Sequence, residues 1–180
     1  MSKPKILNTR TVARTRLFHV QEVDLEFSNG TQVRYERMKG SKRGAVLIVP
    51  LLDDDTVLLI KEYGVGLERY ELGFPKGKID GDEELLDAAN RELQEEVGYA
   101  SKQLQHIQSV TLAPGYIGQT THIVLARDLF VSTAEGDEPE ELEVVPWKLS
   151  ELDALLLRDD FTEARSLAAM YMVRDILRSG

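Results

Sequence analysis

Three carboxylates, Glu92, Glu95 and Glu96, fall within the run Arg91-Glu92-Leu93-Gln94-Glu95-Glu96-Val97-Gly98. In a helix at ~100° per residue, Glu95 and Glu96 lie about 60° and 40° either side of Glu92, so all three share one stripe. Like charges at these spacings weaken a helix by roughly a few tenths of a kcal/mol per pair. A stripe that works against its own helix calls for a compensating cation, and hard divalent ions such as Mg²⁺ take oxygen ligands while binding phosphates. A solvated, ion-paired helix is the ordinary role of a Glu-rich segment, but it would interleave basic residues at i+4, and this stripe holds no lysine. Leu86, Ala89, Leu93 and Val97 fall on a separate face, so the helix is expected to pack on a sheet with its acidic side toward a cleft. Gly98 suits the left-handed position after the helix. Gly77, in the loop before it, lets backbone approach a ligand or ion. Arg91 is placed to brace one carboxylate bidentately.

The flanking patterns supply the elements that position this helix. Val23, Leu25 and Phe27 alternate with polar residues, Asn29-Gly30 follows, and Val33 and Tyr35 alternate again: a hairpin with a type I′ turn. Ala45 to Leu52 is a continuous apolar run and reads as a buried strand. Asp53 to Asp55 turn the chain, and Val57 to Ile60 return as the next strand. A short strand is expected near Tyr70 to Leu72, the helix over Asp82 to Val97, and strands at Gln105 to Leu112, Ile123 to Ala126 and Val144 to Trp147. Ala134 to Glu141 is an acidic, turn-like segment. Ser150 with Asp153 resembles a capping box opening a helix to about Leu157. Thr162 is the expected cap of a last helix that buries Leu167, Met170, Val173 and Leu177. The pattern reads as one α/β domain over residues 1–180.

Composition bounds the function. The chain has 180 residues, enough for one sizeable core, with 42% hydrophobic and 29% charged residues. A net charge of −9 argues against a general nucleic-acid binder, which would carry a basic stripe. A small anionic substrate stays open, because bound metal reverses the local sign of a site. The absence of cysteine removes disulfides, thiolate metal sites and cysteine nucleophiles. No secretory signal or membrane span is expected, which leaves the cytoplasm as the default compartment. His19, His106 and His122 have no metal-ligand spacing, Gly64-Val65-Gly66 is no dinucleotide fingerprint, and the Gly77-Lys78 pair lacks the spacing of a P-loop.

Gly77, five residues, Glu83, seven residues, Arg91-Glu92-Leu93, one residue, Glu95-Glu96, one residue, Gly98: this resembles the complete box of the Nudix hydrolases. Seven fixed identities, with Leu93 at an aliphatic position, make a chance match on the order of 10⁻⁸ per window. Tyr99 stands where the motif ends on an aliphatic residue. Pro114, fifteen residues beyond Tyr99, resembles the proline of the branch that cleaves ADP-ribose. Asp24-Leu25-Glu26-Phe27-Ser28-Asn29-Gly30, Tyr70-Glu71-Leu72-Gly73-Phe74 and Glu135-Gly136-Asp137-Glu138-Pro139-Glu140 are similar to the bacterial ADP-compounds hydrolases of that branch.

The resemblance implies a Nudix α/β/α sandwich with a mixed sheet. An N-terminal β-hairpin extension (about 1–44) would make a homodimer, and about 45–180 would form the core. It implies hydrolysis of the diphosphate in small ADP-linked compounds (ADP-ribose, diadenosine polyphosphates, NADH), releasing AMP with Mg²⁺ or Mn²⁺. Glu92, Glu95 and Glu96, with the carbonyl of Lys76, are the implied metal ligands, and Glu95 and Arg91 also belong to the catalytic set. Gly77, Glu83 and Gly98 shape the motif. The implied general base is Glu140, with Glu138 and Glu141 as rivals. Relatives end the strand before the box with Tyr-Arg. Here Tyr63 is followed by Gly64, and Arg69, or Arg37 of a partner subunit, is the expected replacement. Glu71 and Pro114 complete the expected substrate contacts. Gln119-Thr120-Thr121 departs from the Ser/Thr-x-Glu pattern often found after the Pro-Gly. A Nudix enzyme for another nucleotide-sugar or capped RNA, and a non-catalytic Nudix-fold nucleotide sensor, are the other readings. The sensor would normally lose box carboxylates, and all are present.

Overall fold

The computed structural model describes residues 2–179. The chain divides into two compact units, Met1–Gly44 with Thr111–Thr120, and Ala45–Val110 with Thr121–Gly180. In the first, β1 (Lys5–Arg14), β2 (His19–Glu26) and β3 (Gln32–Met38) form a sheet in that order, antiparallel throughout. The expected hairpin joins β2 to β3, but not through a type I′ turn. Gly30 N–H bonds Phe27 O at 2.9 Å, which puts Ser28 and Asn29 at the centre of the turn with negative φ, and Gly30 after them at φ +81°. Asn29 instead accepts the Thr31 N–H on its side chain at 3.0 Å, so the loop is a type I turn followed by a left-handed glycine.

The second unit is built on strands buried from both sides. β4 (Ala45–Pro50) is buried at every residue, as its unbroken apolar run requires. It pairs parallel with β9 (Thr120–Val131) and antiparallel with β7 (Lys76–Lys78), in a mixed sheet ordered β7-β4-β9-β8, where β8 is Tyr99–Thr111. β5 (Thr56–Gly64) lies between β6 (Arg69–Gly73) and β10 (Glu143–Lys148), both antiparallel. Alternate residues serve opposite faces. Val46, Ile48, Leu58, Ile60, Val124 and Ala126 pack with Ala88, Ala89, Leu93 and Val97 of α1 (Leu85–Val97). Leu47, Val49, Val57, Leu59, Ile123 and Leu125 pack with α2 (Leu152–Leu156) and α3 (Ala164–Ser179). The result is the expected α/β/α sandwich. Among the described residues no helix is long and apolar enough to cross a membrane.

Several helix boundaries differ from expectation for local reasons. α1 begins at Leu85 rather than Asp82, because Glu83 bonds backward to the Asp80 carbonyl and forward to Arg91. Leu86 is exposed and Ala88 takes its place in the core. Ser150 does not cap α2: its N–H and hydroxyl both bond the Asp55 carboxylate, at 2.9 and 2.7 Å. The Thr162 hydroxyl donates to Glu71 at 2.8 Å, and Glu163 meets the free N–H of Ser166 at the start of α3 instead. Met170 and Val173 are fully buried and Leu167 and Leu177 partly so, as the periodicity requires.

Gly98 ends α1 at φ +78°, its N–H bonded to the Leu93 carbonyl. Gly98→Ala is expected to lower the unfolding free energy by about 1 kcal/mol, the cost of an L-residue in that conformation. Urea melts of the two proteins with equal m-values measure it.

Candidate active site

One guanidinium ties α1 to the loop before it. Arg91 Nε and Nη2 grip the two Glu83 carboxylate oxygens at 3.0 and 3.1 Å. Nη2 also donates to the Lys78 carbonyl at 3.0 Å. Nη1 donates to Glu92 at 2.8 Å and to Glu95 at 2.9 Å. Arg91 therefore braces three carboxylates rather than one, and its bidentate partner is Glu83.

Glu92 is buried against the loop backbone. A Cβ on Gly77 would lie 1.9 Å from its carboxylate, so only glycine leaves room for it. Burial pushes the Glu92 carboxyl above the ordinary range, against the pull of Arg91. Glu96, also buried, accepts the Lys76 backbone N–H at 2.9 Å. Burial pushes it up to about 8, although the Lys76 charge and N–H both oppose the rise.

These groups share a cavity of about 730 Å³ with Lys76, Gly77, Lys78 and Asp80 on one wall and Glu135, Gly136, Asp137 and Glu138 on another. Glu138 is also pushed upward, by burial first and the charge of Glu62 second. Glu140 lies along an adjoining cavity of about 600 Å³, shared with Glu95, Glu96 and Glu138. One of its oxygens accepts the Tyr70 hydroxyl at 2.8 Å.

The remaining expected contacts are already engaged. Arg37 donates twice to Gln21 on the neighbouring strand, at 3.2 and 3.1 Å. Arg69 bonds Glu71 at 2.5 Å, and Glu71 also holds Thr162. Tyr63 stands edge-on to Tyr70, with ring centres 5.4 Å apart. In the first unit, Pro114 lines an apolar cavity of about 380 Å³ with Tyr35, Arg37 and Tyr116. Two features escaped the sequence reading: the ion pair between the Lys76 ammonium and Glu62, and the place of Glu138 among the carboxylates. A lysine directly after Pro75, at the entrance to the box, was the available signal for the first.

The side chains fit a hard divalent cation by donor chemistry, since Glu92, Glu95 and Glu96 offer carboxylate oxygens and no soft donor lines the cavity. Among the described residues no three acidic or histidine side chains gather on one point. Glu92 and Glu95 meet on Arg91 instead, and Glu96 meets Lys76.

A proton held by folded Glu96 and lost by the unfolded chain makes the fold less stable as pH rises from the ordinary carboxylate range to about 8. In EDTA, the wild-type Tm is expected to fall across that window more steeply than the Tm of Glu96→Gln. Parallel Tm–pH curves would show that Glu96 does not titrate there.

A family model described as a NUDIX domain matches residues 41–170, and one described as the NudE-type Nudix hydrolase N-terminal domain matches residues 4–37. The ADP compounds hydrolase NudE of Escherichia coli strain K12 is 51% identical over 178 residues, 99% of this chain and 95% of its own. An ADP-ribose pyrophosphatase of Bacillus subtilis is 31% identical over 173 residues, 92% of each chain. A crystal structure of an ADP compounds hydrolase superposes with a TM-score of 0.93 at 50% identity, covering 99% of this chain and 96% of that one.

Proposed function

Since the chain belongs to the Nudix hydrolase family, we propose that it hydrolyses the diphosphate of ADP-linked compounds and releases AMP, with ADP-ribose, diadenosine polyphosphates and NADH as candidate substrates. The observation that carries this reading is the cavity in which Glu92, Glu95 and Glu96 stand beside Lys76 and the acidic loop, with Arg91 holding the first two. Nudix hydrolases generally depend on a divalent metal; here Mg²⁺ or Mn²⁺ would be held by the three glutamates with the Lys76 carbonyl. The bound ion would neutralise diphosphate charge and make water more acidic.

The protein's own part is positional and acid–base. Arg91 fixes Glu92 and Glu95 against the loop, and Gly77 admits Glu92 to the backbone. A carboxylate of the acidic loop takes the proton of the attacking water as its oxygen bonds phosphorus and the bridging P–O bond breaks. The sequence points to Glu140 as this base. The lining of the carboxylate cavity favours Glu138, which faces all three box glutamates, while Tyr70 holds one Glu140 oxygen. Tyr63, Arg69, Glu71 and Pro114 remain proposed substrate contacts, with Arg37 contributed through a partner subunit. The exposed Ile6, Leu7, Val12, Val33 and Tyr35 of the N-terminal sheet support a homodimer, which sizing in solution tests.

A panel of ADP-linked compounds in ¹⁸O-water, with products read by mass, is expected to return labelled phosphate on one product and AMP throughout. No turnover of any member with Mg²⁺ or Mn²⁺ would refute the proposal. Glu96→Gln should fold and lose most turnover. Glu138→Gln is expected to lower kcat more than KM and more than Glu140→Gln does; the opposite order returns the role to Glu140.

A further inference from the structure

The described wall of the box cavity is rich in carboxylates for a site that must receive a diphosphate, and its cations are Arg91, Lys76 and Lys78, of which Lys78 does not reach the second cavity described below. Arg91 is spent on three carboxylates and the Lys78 carbonyl. Gly64 replaces the expected arginine after Tyr63, and Arg69 and Arg37 are bonded to Glu71 and Gln21. Lys76 is different. It lines the carboxylate cavity and also a second cavity of about 310 Å³, where Ile60, Leu67 and Leu72 give an apolar wall beside Glu71 and Thr162. Among the described residues it is the only basic one on the wall of that second cavity. Its backbone is fixed, because its N–H bonds Glu96 and the residue pairs with Leu47 of β4. Its ammonium is held by a single carboxylate, Glu62, in a half-exposed ion pair. Such pairs contribute little to stability and exchange readily for a stronger anion.

We propose that the Lys76 ammonium is the phosphate-binding cation of this enzyme: it leaves Glu62 when substrate arrives and bonds a diphosphate oxygen at the junction of the two cavities. This rests on the reading of the chain as a diphosphate hydrolase. A lysine acts on phosphate as a compact, swinging point charge, unlike the planar fork of an arginine. In this structure Glu62 holds the ammonium, whose charge also acts on the buried Glu96.

The ion pair gives the test its sign. Were the pair merely a brace between β7 and β5, breaking it from either side would have the same effect. If Lys76 binds phosphate, the two ends oppose each other. Lys76→Met is expected to raise KM for ADP-ribose about tenfold, the loss of one charge-assisted hydrogen bond, with a smaller change in kcat. Lys76→Arg should recover part of that loss. Glu62→Gln, which frees the ammonium and removes a negative charge, should bring KM to or below the wild-type value. Calorimetric titration of ADP-ribose into the metal-free proteins should follow the same order. An unchanged KM in Lys76→Met, or a rise in KM shared by Lys76→Met and Glu62→Gln, overturns the assignment while wild-type turnover leaves the hydrolase reading intact. A wild-type protein that turns over no ADP-linked compound removes the reading itself.

Discussion

A guanidinium that is shared among Glu83, Glu92, Glu95 and the Lys78 carbonyl ties α1 to the loop before it and so holds the proposed site together. Without it, three carboxylates would repel one another across a helix and the loop that precedes it, with two members of the box, Glu92 and Glu96, buried. Removing one partner from such a buried charged network leaves the others uncompensated, at a cost of several kcal/mol. The arrangement therefore works only as a set. The motif conserves in its spacing what the network demands in space: Glu83 at the end of the loop, Arg91 two turns into the helix, Glu92 and Glu95 beside it.

The same set is suited to a hard cation and a polyanion together, as the proposed function requires. Arg91 pairs with Glu92 and Glu95, while burial pushes the carboxyls of Glu92 and Glu96 upward, toward their protonated forms. A site of this composition is underfilled with positive charge, and binding of hard cations relieves it. The acidic loop from Glu135 to Glu138 adds to the imbalance. The negative overall charge of the chain is thus consistent with an anionic substrate, because local chemistry at the cavity decides the sign.

The buried strands were legible because apolar runs such as Ala45 to Pro50 have few alternatives, whereas β1 and β7, which carry no such run, were not expected. The box residues were legible because the motif prescribes them. What sequence did not reveal depends on pairings between distant segments. Ser150 and Thr162 carry good capping signals, yet Asp55 and Glu71 claim their hydroxyls from 95 and 91 residues away. Leu86 has the right helical phase but sits one residue inside the end of α1, beyond the reach of the sheet. The Lys76–Glu62 pair joins β7 to β5, strands of two different sheets, and no local pattern announces that meeting. Local propensity was right about what each residue prefers and silent about competitors from elsewhere in the chain.

β7 has a consequence out of proportion to its three residues. Lys76, Gly77 and Lys78 pair with Leu47, Val46 and Ala45, while Pro75 accepts the Ile48 N–H. The loop that receives Glu92 and Glu96 is therefore hung from the most deeply buried strand of the fold. Val46 and Ile48 support α1 from below, so the height of the helix above that loop is set by aliphatic volume. Exchanging a methyl group in this layer would lift or lower the glutamates relative to Gly77 without altering any charged residue. The interior thus acts as a spacer of calibrated thickness, and the size of its aliphatic side chains reaches the site without any change in its charges.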